Sequence, residues 1–107
     1  MQITEYSGQS SVGIATLNLY LNKLTPLRQI DLKVVDGQQV VVMTGPHATL
    51  VSNSFGWGQI DERSTALSQA TAILGMPVAP EVFHQIPPDQ ERIIHTSRSY
   101  QGPRQRL

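Results

Sequence analysis

The sequence contains no cysteine. That removes disulfides, thiolate nucleophiles and cysteine-ligated metals together, and makes a reducing, cytoplasmic setting the default expectation. Long apolar runs are also missing. The longest is Val40-Val41-Val42-Met43, far short of the roughly 20 residues a helix needs to cross a bilayer, so no membrane association is expected. Residues Met1 to Tyr6 have neither the basic region nor the apolar core of a secretory signal.

Catalytic signatures are equally scarce. His47, His84 and His95 stand apart with no ligand spacing, so neither a metal nor any other cofactor is expected. No serine sits in a Gly-x-Ser-x-Gly elbow or a Ser-x-x-Lys motif, and no glycine-rich loop ends in Lys-Ser or Lys-Thr. The neighbours Asp61, Glu62 and Arg63 suggest an acid pair beside a cation. Consecutive helical positions do not face each other, so capping and dipole compensation are the better reading. Thr96-Ser97, between His95 and Arg98, reads as a chance grouping of polar residues. The chain is therefore not expected to be an enzyme.

Acidic residues are absent from one end. Residues 1–91 hold all eight Asp and Glu against four Lys and Arg, whereas residues 92–107 hold Arg92, Arg98, Arg104 and Arg106 with no acid. A net charge of zero thus divides into a body of −4 and a tail of +4. Such a block is either a solvated tail or an arm that touches an acidic partner or phosphates. With Tyr100 as a stacking ring, these arginines are the candidates for holding a nucleic acid. Against that, the body is acidic and lacks a basic face.

A chain of 107 residues is expected to form one domain. Residues 1–96 read as that domain and residues 97–107 as a flexible basic tail. Ile3 to Tyr6 is expected to form a short strand, ended by the small residues Ser7 to Ser11. The next segment carries two patterns. Ile14, Leu17, Leu21 and Leu24 recur at helical spacing, while Leu17, Leu19 and Leu21 alternate with polar residues as in a strand. Gly13, Thr16, Asn18 and Asn22 are poor helix formers, so propensity favours a strand.

A hairpin follows. Ile30, Leu32 and Val34 alternate with Asp31 and Lys33, and Asp36-Gly37 supplies a two-residue turn. That turn sets Val34 opposite Gln39, Leu32 opposite Val41 and Ile30 opposite Met43. The other face pairs Lys33 with Val40 and Asp31 with Val42, half polar and only partly covered. Gly45-Pro46 ends the second strand, and His47 to Val51 is expected to form another. A helix is predicted from about Asp61, as N-cap, to Leu74, with Gly75 and Pro77 stopping it. Pro80 starts a short second helix reaching Ile86. Ile93-Ile94 adds a last strand or packs as a clip. Strands preceding helices without regular alternation predict an α+β domain: a small antiparallel sheet of three to five strands packed against one main helix.

Tyr6-Ser7-Gly8, Phe55-Gly56-Trp57-Gly58 and the Ala- and Leu-rich stretch Ala66 to Leu74 together resemble a family of small bacterial and phage proteins whose domain has no assigned function. The similarity spans about residues 6–75. It departs at Gln59 to Arg63, where the family has a glycine-rich turn, so no role tied to that turn carries over. The resemblance implies a phage or mobile-element setting and no particular reaction.

Phe55 and Trp57 have two readings. Trp is favoured at binding hot spots and glycines let a partner approach the backbone, so the segment is a candidate recognition surface. Alternatively both aromatics plug the junction between sheet and helix. The expected function is a non-catalytic interaction module that binds and occludes or modulates a host or co-encoded protein. The candidate partner-binding residues are Phe55, Trp57, Arg92, Arg98, Tyr100, Arg104 and Arg106. Open sheet edges offer a further route, to a partner or to a homodimer. The alternative is a nucleic-acid-binding accessory protein using the C-terminal arginines.

Overall fold

Asp36 and Gly37 take positive φ angles of 53° and 76°. The turn they make joins β2 (Gln29–Val35) to β3 (Gln38–Thr44). The register is the one the alternation predicts, with Val34 opposite Gln39, Leu32 opposite Val41 and Ile30 opposite Met43. In this computed structural model, which describes residues 1–95, three more strands complete the sheet: β1 (Gln2–Glu5), β4 (Thr49–Ser52) and β5 (Arg92–His95). The strand order is β1-β4-β3-β2-β5.

The sheet is mixed, which corrects the expected antiparallel one. β1 runs parallel to β4, and every other neighbouring pair is antiparallel. A parallel arrangement needs a long crossover, usually helical. Here the connection from β1 to β4 begins with residues 10–24, the segment for which propensity favoured a strand, and continues through β2 and β3. Residues 10–24 form α1 (Ser10–Leu19) and α2 (Leu21–Leu24).

Two features accompany the poor helix formers of α1. Thr16 Oγ1 donates to the Val12 carbonyl at 2.8 Å and Asn18 Nδ2 to the Ile14 carbonyl at 3.1 Å, so their polar groups are satisfied along the helix. Gly13 lies against Phe55, where a Cβ would stand 2.8 Å from the ring. Of the helically spaced set, Leu17 and Leu24 are buried, Ile14 is half-buried and Leu21 is 38% exposed, while Leu19 of the alternating set is 78% exposed.

The predicted helix near Asp61 is α3 (Glu62–Ile73). Asp61 caps it reciprocally: the Ser64 N–H donates to Asp61 Oδ1 at 3.0 Å, and the Asp61 N–H donates to Ser64 Oγ at 3.3 Å. Pro80 opens α4 (Pro80–Gln85) as expected. The single main helix of the expected architecture is not what is found. α1 and α3 pack on each other, α1 also meets β1, and α3 meets α4.

Cross-strand pairing places Ile3, Leu50, Met43, Ile30 and Ile94 in one row on the inner face of the sheet. They share a core with Leu17, Leu67, Leu74 and Phe83 from the helices. Besides the pair Lys33–Val40, whose Val40 is buried, the outer face carries two rows. One is Thr4, Val51, Val42, Asp31 and Ile93; the other is Gln2, Thr49, Thr44, Gln29 and His95. Every residue of these rows is half-buried or exposed. Among the described residues, no helix is long and apolar enough to cross a membrane.

Candidate functional site

The Phe55–Gly58 segment leads from β4 toward α3, and both of its rings lie inside the molecule. Phe55 is fully buried and Trp57 is 2% exposed. Trp57 Nε1 donates to the carbonyls of Pro87 and Gln90, each at 3.1 Å. Gln39, reaching in from β3, donates through Nε2 to the carbonyls of Trp57 and Pro88 at 2.9 Å. Its Oε1 accepts the Trp57 N–H at 3.3 Å. Arg63 Nη2 donates to the carbonyls of Asn53 and Phe55 at 2.8 and 2.9 Å. Gly58 has φ 92° and a site where a Cβ would come within 2.7 Å of Pro88. Of the two readings of this segment, the geometry is that of the plug. Neither ring is at the surface.

Arg92 begins β5, half-buried, and its Nη2 donates to Gln90 Oε1 at 2.8 Å. Arg98, Tyr100, Arg104 and Arg106 lie outside the described residues.

A polar cluster at the carboxyl ends of the parallel pair escaped the sequence reading. Glu5 closes β1 on the buried face. Its Oε2 accepts the Ser7 N–H at 2.9 Å and the Ser7 hydroxyl, and its Oε1 accepts Ser52 Oγ at 2.7 Å. Ser7 Oγ lies 3.2 Å from Ser54 Oγ, Ser10 Oγ donates to the Ser54 carbonyl at 2.9 Å, and the Gly8 N–H donates to Asn53 Oδ1 at 2.9 Å. Burial opposes ionisation of Glu5. Donation from the hydroxyls of Ser7, Ser54 and Ser52 and from the Ser7 N–H outweighs it and holds the carboxyl below its ordinary value.

Such a carboxylate is a weak base, and both its oxygens are already engaged. The cluster laces the β1–α1 loop to the β4–α3 loop. The available signal was two serine-rich turns, Ser7 to Ser11 and Ser52 to Ser54, each following a short strand. Beside them a crevice of about 340 Å³ is lined by Gly8, Gln9, Ser10, Ser11, Glu62 and Arg63. Its lining holds one anion and one cation, Glu62 and Arg63, beside the hydroxyls of Ser10 and Ser11. A second depression, about 430 Å³, is lined by Gly58, Gln59, Ile60, Glu81, His84 and Gln85, and His84 Nε2 is buried there without a hydrogen-bond partner. Among the described residues, no group of three His, Asp or Glu is arranged to hold a metal.

Among the described residues, the outer face of the sheet is a further surface. Val42 and Val51 are half-buried at the centre of that face, and Ile93 at its margin is 43% exposed. The sequence had marked part of this face as half polar through the pairs Asp31–Val42 and Lys33–Val40, and the structure pairs those residues as expected.

No family model matches the chain, and neither a curated protein nor a solved structure matches it.

Proposed function

We propose that this chain is a non-catalytic interaction module that binds a protein partner on the outer face of its sheet and so occludes or modulates it. The observation that carries this reading is the row Thr4, Val51, Val42, Asp31 and Ile93, a largely β-branched strip left half-buried or exposed across all five strands. An exposed strip of this kind is suited to covering by another surface. Its charges, Asp31 with the nearby Lys33 and His95, form no basic stripe, which favours a protein over a nucleic acid. The resemblance across residues 6–75 suggests a phage or mobile-element setting, with a host or co-encoded protein as the target.

Affinity capture tests the proposal. The tagged full chain and its Val51→Lys variant are exposed to lysate of the organism that carries the gene, with and without nuclease, and bound proteins are read by mass spectrometry. A stoichiometric protein that survives nuclease, and that folded Val51→Lys no longer retains, is the expected outcome. Retention by Val51→Lys, or recovery only of material that vanishes with nuclease, would reject it.

A further inference from the structure

We infer that Glu5 is an acid-released latch: protonating its carboxyl frees the loop between β1 and α1, residues 6–9, from the β4–α3 loop, while the sheet stays folded. The loop is an exposed strap tied to a buried polar cluster. Tyr6, Ser7, Gly8 and Gln9 are exposed, whereas Glu5, Ser52 and Ser54 are buried. Ser7 is the node of the strap. It gives both its N–H and its hydroxyl to Glu5 Oε2, its Oγ lies 3.2 Å from Ser54 Oγ, and the same oxygen accepts the Gln9 N–H at 3.1 Å.

The latch depends on a carboxylate that accepts at both oxygens. Oε2 receives two hydrogens from Ser7, and Oε1 receives one from Ser52 Oγ at 2.7 Å. A proton added to Oε2 occupies the space those two hydrogens fill, so Ser7 must leave. A proton added to Oε1 meets Ser52, whose hydroxyl can turn to accept it, and the bonds from Ser7 then lose their charge assistance. In both cases the strap loses hold at Ser7. Burial opposes ionisation, but donation from the serines keeps the carboxyl below its ordinary 4.5. The latch is therefore shut at neutral pH and loosens as pH falls through that lower folded value. Of the elements around Glu5, α1 brings Ser10, β4 and the residues after it bring Ser52, Asn53 and Ser54, and α3 brings Glu62 and Arg63 at the adjoining crevice. Arg63 Nη2 is committed to the Asn53 and Phe55 carbonyls, so Glu62 is the acid to control for.

Release is confined to the strap because its flanks are tied elsewhere. Before it, β1 is paired with β4 from Gln2 to Glu5, Ile3 lies in the core, and the Glu5 carbonyl accepts the Asn53 N–H at 3.3 Å. After it, Ser10 Oγ holds the start of α1 to the Ser54 carbonyl at 2.9 Å. Within it, the tie that does not pass through Ser7 is the neutral bond from the Gly8 N–H to Asn53 Oδ1, 2.9 Å long. Gly8 has φ 72°, a conformation in which glycine turns freely, and it supplies the hinge. An opened strap admits water to Glu5 and Ser54 and widens the crevice that Gly8 and Gln9 line with Glu62 and Arg63. The inference does not depend on the partner proposed for the outer face.

Backbone amide order parameters, measured on the full chain by nuclear magnetic resonance as pH is lowered, test the latch. The Gly8 amide is expected to drop from a rigid value of about 0.85 at about pH 6 to below about 0.6 at about pH 3, while Val41 in the middle of the sheet stays at about 0.85. Glu5→Gln resembles the protonated acid and is expected to show the low Gly8 value already at about pH 6. Ser7→Ala, which keeps the carboxylate and the fold of β1 but lacks the hydroxyl, is expected to lower Gly8 order at neutral pH as well. Glu62→Gln is expected to leave the native pH response in place. A Gly8 amide that stays rigid throughout, variants Glu5→Gln and Ser7→Ala both as rigid as the native chain, loss of order at Val41 together with Gly8, or a response abolished by Glu62→Gln would overturn the inference. Because these measurements use purified protein, their failure is separable from a failure of partner capture by Val51→Lys.

Discussion

Glu5 is held inside the molecule by hydroxyls rather than by a cation, and its energetic role is therefore tied to pH. Its carboxyl titrates below the ordinary 4.5 in the folded chain. The stability it contributes is complete above that value and is lost as pH falls through the lower folded pKa. Glu5→Gln keeps the shape but not the charge that the serines serve. It is expected to cost about 1–3 kcal/mol at neutral pH. Urea midpoints at pH 7 and at a series of pH values below 4.5 check this, because the gap between the two proteins should narrow as pH falls. Trp57 raises a separate packing question. Trp57→Ala removes a fully enclosed ring and two carbonyl contacts, at an expected cost of about 3–5 kcal/mol. Trp57→Phe keeps most of the packing and leaves the Pro87 and Gln90 carbonyls without their donor, so its expected cost is only about 1–3 kcal/mol. A denaturation series in which the two variants are equally destabilised would mean that the ring, as opposed to the indole N–H, contributes little.

Among the elements, α1 shows how packing overrides propensity. Its glycine, threonine and asparagine residues argued for a strand, whereas burial of Leu17 and the close contact of Gly13 with Phe55 favour a helix. Gly13→Ala separates the two influences. In an open helix the change would stabilise by about 0.8–1.0 kcal/mol. Here the added methyl meets the buried Phe55 ring, so a loss of about 1–3 kcal/mol is expected. The sign of the shift in melting temperature decides between them. Other elements were legible because their signals are local. Asp36-Gly37 set both turn and register of the hairpin, and Asp61 and Pro80 mark helix starts by local signals. The serine cluster around Glu5 was not legible, since Ser7 and Ser52 are brought together only when β1 lies beside β4.

At the scale of the whole molecule, β1 lies at one end of the strand order and is the strand that makes the sheet mixed. It contributes Ile3 to the core and Glu5 to the loop lacing. Deleting residues 1–6 would remove both and leave β4 as a bare edge. The expected result is a loss of at least about 3 kcal/mol, seen as a lowered and broadened thermal transition; an unchanged transition would show that β1 is an accessory to a sheet that stands without it. By itself, the sequence determined the α+β class, the β2–β3 register, the start of α3 and the outward placement of Asp31 and Val42. Each of these follows from period, turn chemistry or capping within about a dozen residues. Only the tertiary structure decided that residues 10–24 are helical, that β1 pairs parallel to β4, that Phe55 and Trp57 face inward, and that Glu5 gathers the serines. Those outcomes depend on contacts between segments tens of residues apart, where burial of shared surface outweighs local preference.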